Sequence, residues 1–245
     1  ADHKLSVRVN KTGSVTLSGN NTYSGGTTIT GGTVQTNSAT ALGQGSVIIN
    51  GGTLNANSQS LANAITLQQG AVQNFGNASA PKDISVSLTG NATINNSTVV
   101  LNNAGNAPMI TTGQVLTMTG ATTATLNNAS LNLTSFNTAL VDLQGTSSLT
   151  LTGGLTLNLG SDLVFDSLSQ TIDLFTLGTG TSFTEPADWD SLLTLTQDGH
   201  RLVWDGVTFN DGSLTFTGLA VPEPGTATLG LLGLASLLMR RKRRA

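Results

Sequence analysis

Along most of the chain, apolar and polar residues alternate in short runs broken by glycine. Val15 and Leu17 share one side of such a run. Leu155, Leu157 and Leu159 share one side of another, with Thr, Ser or Asn on the opposite side. Alternation with a period of two marks strands that bury a single face. One run-bend-run unit, Ile29-Thr-Gly-Gly-Thr-Val34, returns about 20 residues later as Ile49-Asn-Gly-Gly-Thr-Leu54. Weaker copies follow at 88–94, 118–126 and 149–157, with intervals that lengthen after residue 60. A single coil of this kind cannot bury its own apolar face, whereas a stack of coils can. The pattern therefore predicts an all-β solenoid. A β-sandwich also shows short strands and frequent turns, but here the sequence itself recurs, which favours the solenoid.

Two further features refine this picture. Asn and Thr suit a stack because like side chains in successive coils can form hydrogen-bonded ladders. Asn95-Asn96, Asn102-Asn103 and Asn127-Asn128 are expected at turns, since Asn tolerates a left-handed backbone. Residues 161–220 read differently. Strand-like runs at 171–177, 192–196, 201–204 and 214–217 are separated by Gly178-Thr-Gly180, Asp198-Gly199, Asp205-Gly206 and Asp211-Gly212. Asp-Gly between alternating runs is a hairpin signal. This zone is expected to form an antiparallel β cap on the open end of the stack. The domain reading is a β-solenoid repeat body over 1–160, a β-strand cap over 161–220 and a tail over 221–245.

Composition agrees and narrows the chemistry. Charged residues make up only 9% of the 245, aromatics 4%, and glycine occurs 29 times. Hydrophobic residues reach 38%, so there is apolar surface to bury. Of the ten basic residues, Arg240, Arg241, Lys242, Arg243 and Arg244 form one terminal cluster. Upstream of Pro222, Lys4, Arg8, Lys11, Lys82 and Arg201 face twelve acids. An acidic body of this kind cannot neutralise a phosphate backbone, which argues against a nucleic-acid partner. The chain opens Ala1-Asp2-His3-Lys4 without an initiator Met, which is compatible with a leader removed on export.

Catalytic chemistry finds little footing. Cysteine is absent and His3 and His200 are the only histidines, so neither a thiol nucleophile nor a His-rich metal site is expected. Glu185, Asp188 and Asp190 offer three carboxylates, but calcium takes six to eight oxygens and no EF-hand spacing is present, so a solvated acidic loop is expected. A glycoside hydrolase or lyase would need paired carboxylates. Asp83, beside Lys82, is the one acid within 12–141, and Asp142, Asp162, Asp166 and Asp173 are scattered. His200-Arg201 with Asp198 or Asp205 reads as a hairpin turn. No enzyme, cofactor or metal site is expected. Rows of Thr, Ser and Asn could hydrogen-bond sugar hydroxyls, with Tyr23, Trp189 or Trp204 stacking on a ring; ladders and core filling explain the same residues more simply.

Two stretches resemble known families. Residues 13–34, and above all Leu17-Ser-Gly-Asn-Asn-Thr-Tyr-Ser-Gly-Gly-Thr27, resemble the autotransporter-associated β-strand repeat, with the likeness extending to about residue 56. That resemblance implies an extracellular, right-handed parallel β-helix. A transmembrane barrel, which a true autotransporter would add, has no room here. The tail is similar to the PEP-CTERM sorting signal, with its three parts in order. These are Pro222-Glu223-Pro224 in the motif, the uncharged apolar stretch 225–239 and the basic cluster Arg240–Arg244. The resemblance implies recognition by an exosortase, a membrane-embedded transpeptidase-like protease, and delivery to the envelope or to exopolysaccharide.

Elementary physics supports the tail reading. Fifteen residues of helix reach about 22 Å, short of the roughly 30 Å hydrocarbon core. The short apolar helix inserts if the arginines snorkel, and its basic end favours a cytoplasmic C-terminus with the body outside. The prolines hold the motif out of that helix. The reading is an exported, non-enzymatic surface or extracellular-matrix protein, transiently anchored in the inner membrane. A carbohydrate-binding adhesin is the alternative and a polysaccharide lyase or hydrolase the third.

Overall fold

The computed structural model describes residues 4–105, 107–166 and 168–221. Short strands dominate these residues, and the only helix among them is the single turn Trp189–Leu192. The strands stack in parallel ladders into a β-solenoid of about 7 turns. In the first ladder Val7–Val9 pairs with Thr27–Ile29, which pairs in turn with the first part of Val47–Asn55. Ile65–Gln73 and Lys82–Val86 continue it. A second ladder runs from Ser14–Leu17 through Thr33–Thr36 and the later halves of the same two long strands. It then passes through Ala92–Asn95, Leu116–Thr119 and Val141–Leu143 to Phe175–Leu177. The first ladder passes on from Lys82–Val86 through Thr98–Asn103 and the first halves of Thr123–Leu133 and Ser148–Leu159 to Ser182–Thr184. The ends of the two longest strands carry on to Leu193–Gln197.

The repeated unit is in register with itself. Ile29 lies opposite Ile49, and Val34 opposite Leu54. Inward positions are aliphatic and fully covered, as in the rows Val34, Leu54, Val72 and Leu131, Leu157, Leu195. Burial of this kind, at about 25 cal/mol per Å² of apolar surface, is the main force holding the coils together. Leu155, Leu157 and Leu159 are buried as their alternation predicts. Val15 keeps 42% exposure, because Val34 alone stacks on it.

The lengthening intervals have a structural cause. Stacked partners stand 20 residues apart at Thr36 and Ala56, 25 apart at Asn102 and Asn127, and 38 apart at Asn158 and Thr196. Extra residues enter at the corners and leave the ladders parallel. Loop closure grows costlier only slowly with length, so the stack tolerates them.

Corners are where glycine is required. Gly32, Gly51 and Gly70 have φ of 66°, 117° and 99°. A Cβ on Gly70 would run into the carbonyl oxygen of Gly52 in the coil before it. Gly70→Ala is therefore expected to destabilise the fold by about 2 kcal/mol or more, from left-handed strain plus the clash. Denaturant unfolding checks this, and an unchanged midpoint would refute it.

Further along, Asn replaces glycine as the first residue of a corner column. Asn96 and Asn128 are left-handed, at 47° and 51°. Their side-chain oxygens accept from the amides of Ala121 and Gly154 in the following coil, at 3.0 and 2.9 Å. Two of the expected Asn turns are thus present. Asn102-Asn103 is not a turn: both residues lie in Thr98–Asn103, where a ladder partner rather than a left-handed bend uses the amide.

Past residue 160 the chain is mixed rather than uniformly antiparallel. Parallel pairing continues through Phe175–Leu177, Ser182–Thr184 and Leu193–Gln197. Ser169–Asp173, Gly206–Asn210 and Ser213–Thr217 form a separate three-stranded antiparallel sheet. The run expected at 171–177 is split at buried Leu174, which sends its two halves to different sheets. Asp198-Gly199 and Asp211-Gly212 form two-residue hairpins with both φ positive, the geometry such turns need. Asp205-Gly206 is a strand entry, with the Asp205 amide bonded to Thr217, and Gly178-Thr-Gly180 is a corner between two ladders. Phe175 and Phe183 of the last coil meet Phe209 of the antiparallel sheet, with ring centroids 4.8 to 6.2 Å apart, and Trp189 stacks on Phe209 at 5.6 Å.

Candidate functional site

Several of the outward asparagine side chains bond to one another across coils. Asn57 donates to Asn37 at 2.9 Å, Asn74 to Asn55 at 3.0 Å, Asn127 to Asn102 at 2.8 Å and Asn158 to Asn132 at 2.9 Å. Thr196 extends the last row by donating to Asn158 at 2.7 Å. These are the predicted ladders, and each rung joins successive coils. A rung contributes about 1 kcal/mol net. Asn127→Ala is expected to cost about that much in a denaturant melt and to leave the fold intact; a cost above about 3 kcal/mol would show that the row does more than join coils.

The acids occupy separate structural positions. Asp83 accepts from Asn102 at 3.1 Å, Asp142 from Gln144 at 2.6 Å and Asp173 from Ser213 at 2.7 Å. Asp166 accepts from the Leu168 amide at 2.8 Å. Asp198 and Asp211 sit in the two hairpin turns. In the acidic loop Asp188 caps the helical turn by accepting from the Asp190 amide at 3.0 Å. Among the described residues no group of three or more His, Asp or Glu side chains could hold a metal ion.

Of the three aromatic candidates for ring stacking, two are engaged elsewhere. The Tyr23 hydroxyl is bonded to Thr27 at 2.7 Å. Trp189 is 8% exposed and sits in the aromatic cluster. Trp204, half-buried like Tyr23, borders open space, and its indole N–H donates to Asp190 at 2.6 Å. Its ring meets Phe216 edge-on, with centroids 5.5 Å apart. Asp190, Arg201, Leu202, Val203 and Trp204 line an open cleft of about 330 Å³. The sequence pattern placed Asp190 in a solvated loop and Arg201 in a hairpin. Nothing local in the sequence joins the two, since the helical turn and the hairpin that carry them meet only on folding.

The same strand segment marks where the tail departs. Val203 and Ala220 exchange two backbone hydrogen bonds of 2.9 Å. Leu219 is fully buried, and Val221 is 44% exposed. The sorting-motif residues Pro222, Glu223 and Pro224, the apolar stretch 225–239 and the basic residues Arg240, Arg241, Lys242, Arg243 and Arg244 lie outside the described residues. Among the described residues no helix is long and apolar enough to cross a membrane.

Two family models match the chain. Residues 12–35 match the Passenger-associated-transport-repeat, and residues 220–244 match the PEP-CTERM protein-sorting motif. The first match covers the opening coil and ends before the in-register copy at 49–54. No curated protein and no solved structure matches the chain.

Proposed function

We propose that this chain, which pairs a passenger-type repeat with a PEP-CTERM sorting motif, is a non-enzymatic component of the cell surface or extracellular matrix. The motif and the repeat together indicate an exported, envelope-associated protein processed by a membrane exosortase. In the proposed pathway, residues 225–239 enter the inner membrane with Arg240–Arg244 held on the cytoplasmic side. The processing enzyme reads Pro222-Glu223-Pro224 and cuts near it. The body is then a right-handed β-helix closed by a C-terminal β cap, for which the antiparallel sheet and its aromatic contacts to the last coil are the natural element.

The observation that carries this reading is the junction. The Val203–Ala220 bridge pins the backbone two residues before Pro222 in the chain, and proline disfavours both helix and ladder. The dispersed carboxylates support a structural rather than a catalytic body, because hydrolysis of a glycosidic bond needs two of them facing one substrate. Turnover of a polysaccharide that vanished on mutating one aspartate would instead favour a lyase or hydrolase. A carbohydrate-binding adhesin is the second reading, and the cleft lined by Trp204, Asp190 and Arg201 favours it. Intact mass of the protein recovered from its native envelope tests the main proposal. Loss of the apolar and basic segments is expected; a full-length chain in the inner membrane would mean a permanent anchor.

A further inference from the structure

We infer that the cleft formed by Asp190, Arg201 and Trp204 binds a sugar ring of an uncharged polysaccharide. The ring of Trp204 is fixed before any ligand arrives: its N–H is held by Asp190 at 2.6 Å, and Phe216 meets it edge-on at 73°. Asp190 is itself placed by the helical turn, whose cap bonds its amide at 3.0 Å. Arg201 is placed by the Asp198-Gly199 hairpin, paired with Thr196. A platform already held in place loses little conformational freedom on binding. An aromatic face takes the C–H side of a pyranose, while sugar hydroxyls both donate and accept. Asp190, a carboxylate acceptor, and Arg201, a guanidinium donor fork, line the same cleft as the ring and supply both kinds of partner.

Charge selects among ligands. One arginine beside one aspartate gives the cleft no net charge to hold a phosphate or a uronate. The body around it carries twelve acids against five bases upstream of Pro222, so a polyanionic polymer is repelled. The location adds a role. Val203 lines the cleft and pairs with Ala220, so the cleft adjoins the point from which the tail departs. On the proposed sorting pathway, on which this clause alone rests, the processed end of the chain lies beside a site for the surface glycan.

The test is a titration of the full-length protein with cellotetraose, laminaritetraose and maltotetraose, read by tryptophan fluorescence. Trp189 is buried, so Trp204 supplies the responsive signal. A saturable change with at least one tetrasaccharide is expected, and none with tetragalacturonate. Arg201→Ala alters an exposed side chain and should fold normally, yet weaken binding about tenfold. Trp204→Ala should abolish it, with binding then read by calorimetry. Flat titrations with all three neutral sugars would overturn the inference, as would wild-type affinity retained in Arg201→Ala and Trp204→Ala. Intact mass of the same variants from cells separates the two readings. Arg201→Ala protein that is processed but no longer binds supports the cleft and leaves sorting standing. Unprocessed wild-type protein that still binds supports the cleft while removing the sorting reading.

Discussion

Replacing Pro222, Glu223 and Pro224 together with alanine is expected to leave the protein at full-length mass in the inner-membrane fraction. The physical reason lies on both sides of the motif. Upstream, Leu219 is buried and Ala220 is hydrogen-bonded to Val203, so a protease cannot draw these residues into its cleft without unfolding the end of the body. Downstream, an apolar run favours helix. The two prolines lack amide protons and disfavour helical backbone in the residue before each. Alanine, the strongest helix former, removes that break and the carboxylate together. The effect should be close to all-or-none in the ratio of processed to full-length protein. Processing of the triple variant at the wild-type position would show that the motif is not what the enzyme reads.

The second large effect is expected in the core. Leu157 is fully buried between Leu131 and Leu195, its partners in the neighbouring coils. Leu157→Ala should cost about 3–5 kcal/mol, the lost transfer energy plus the cavity left behind. That is a large part of the 5–15 kcal/mol that typically holds a domain together. Thr156→Ala, one residue away on the outward face, should cost under about 1 kcal/mol. Because each coil touches only its neighbours, the damage should be local at first, with the coils after residue 157 exchanging amide protons faster than those before it. Equal costs for the two substitutions in urea melts would contradict the inward row.

Much of this organisation is legible in the chain itself. Period-two alternation assigned Leu155, Leu157 and Leu159 to the core, and the recurrence of Ile-x-Gly-Gly-Thr gave the register of Ile29 on Ile49. Asp-Gly at 198–199 and 211–212 specified hairpins, since left-handed backbone at two successive positions is a local demand that few residue pairs meet. The same dipeptide at 205–206 does not turn: there the strand at 213–217 supplies backbone partners and overrides the local preference. The order of motif, apolar stretch and basic cluster is likewise a property of contiguous residues, and it was readable without any fold.

What the sequence determined by itself is therefore whatever acts over a few residues: strand faces, tight turns, the glycine-bearing bends and the three-part tail. Only the tertiary structure decided which strands stack, where the last parallel coil ends and which side chains share a cleft. Parallel partners are separated by loops whose closure cost changes little with length, so the lengthening interval, 20 residues early and 38 late, does not by itself say which strand stacks on which. Asp190, Arg201 and Trp204 come from a helical turn, a hairpin and the segment after it. They meet because the last coil packs against the antiparallel sheet, a contact made by burying aromatic surface rather than by any short-range pattern.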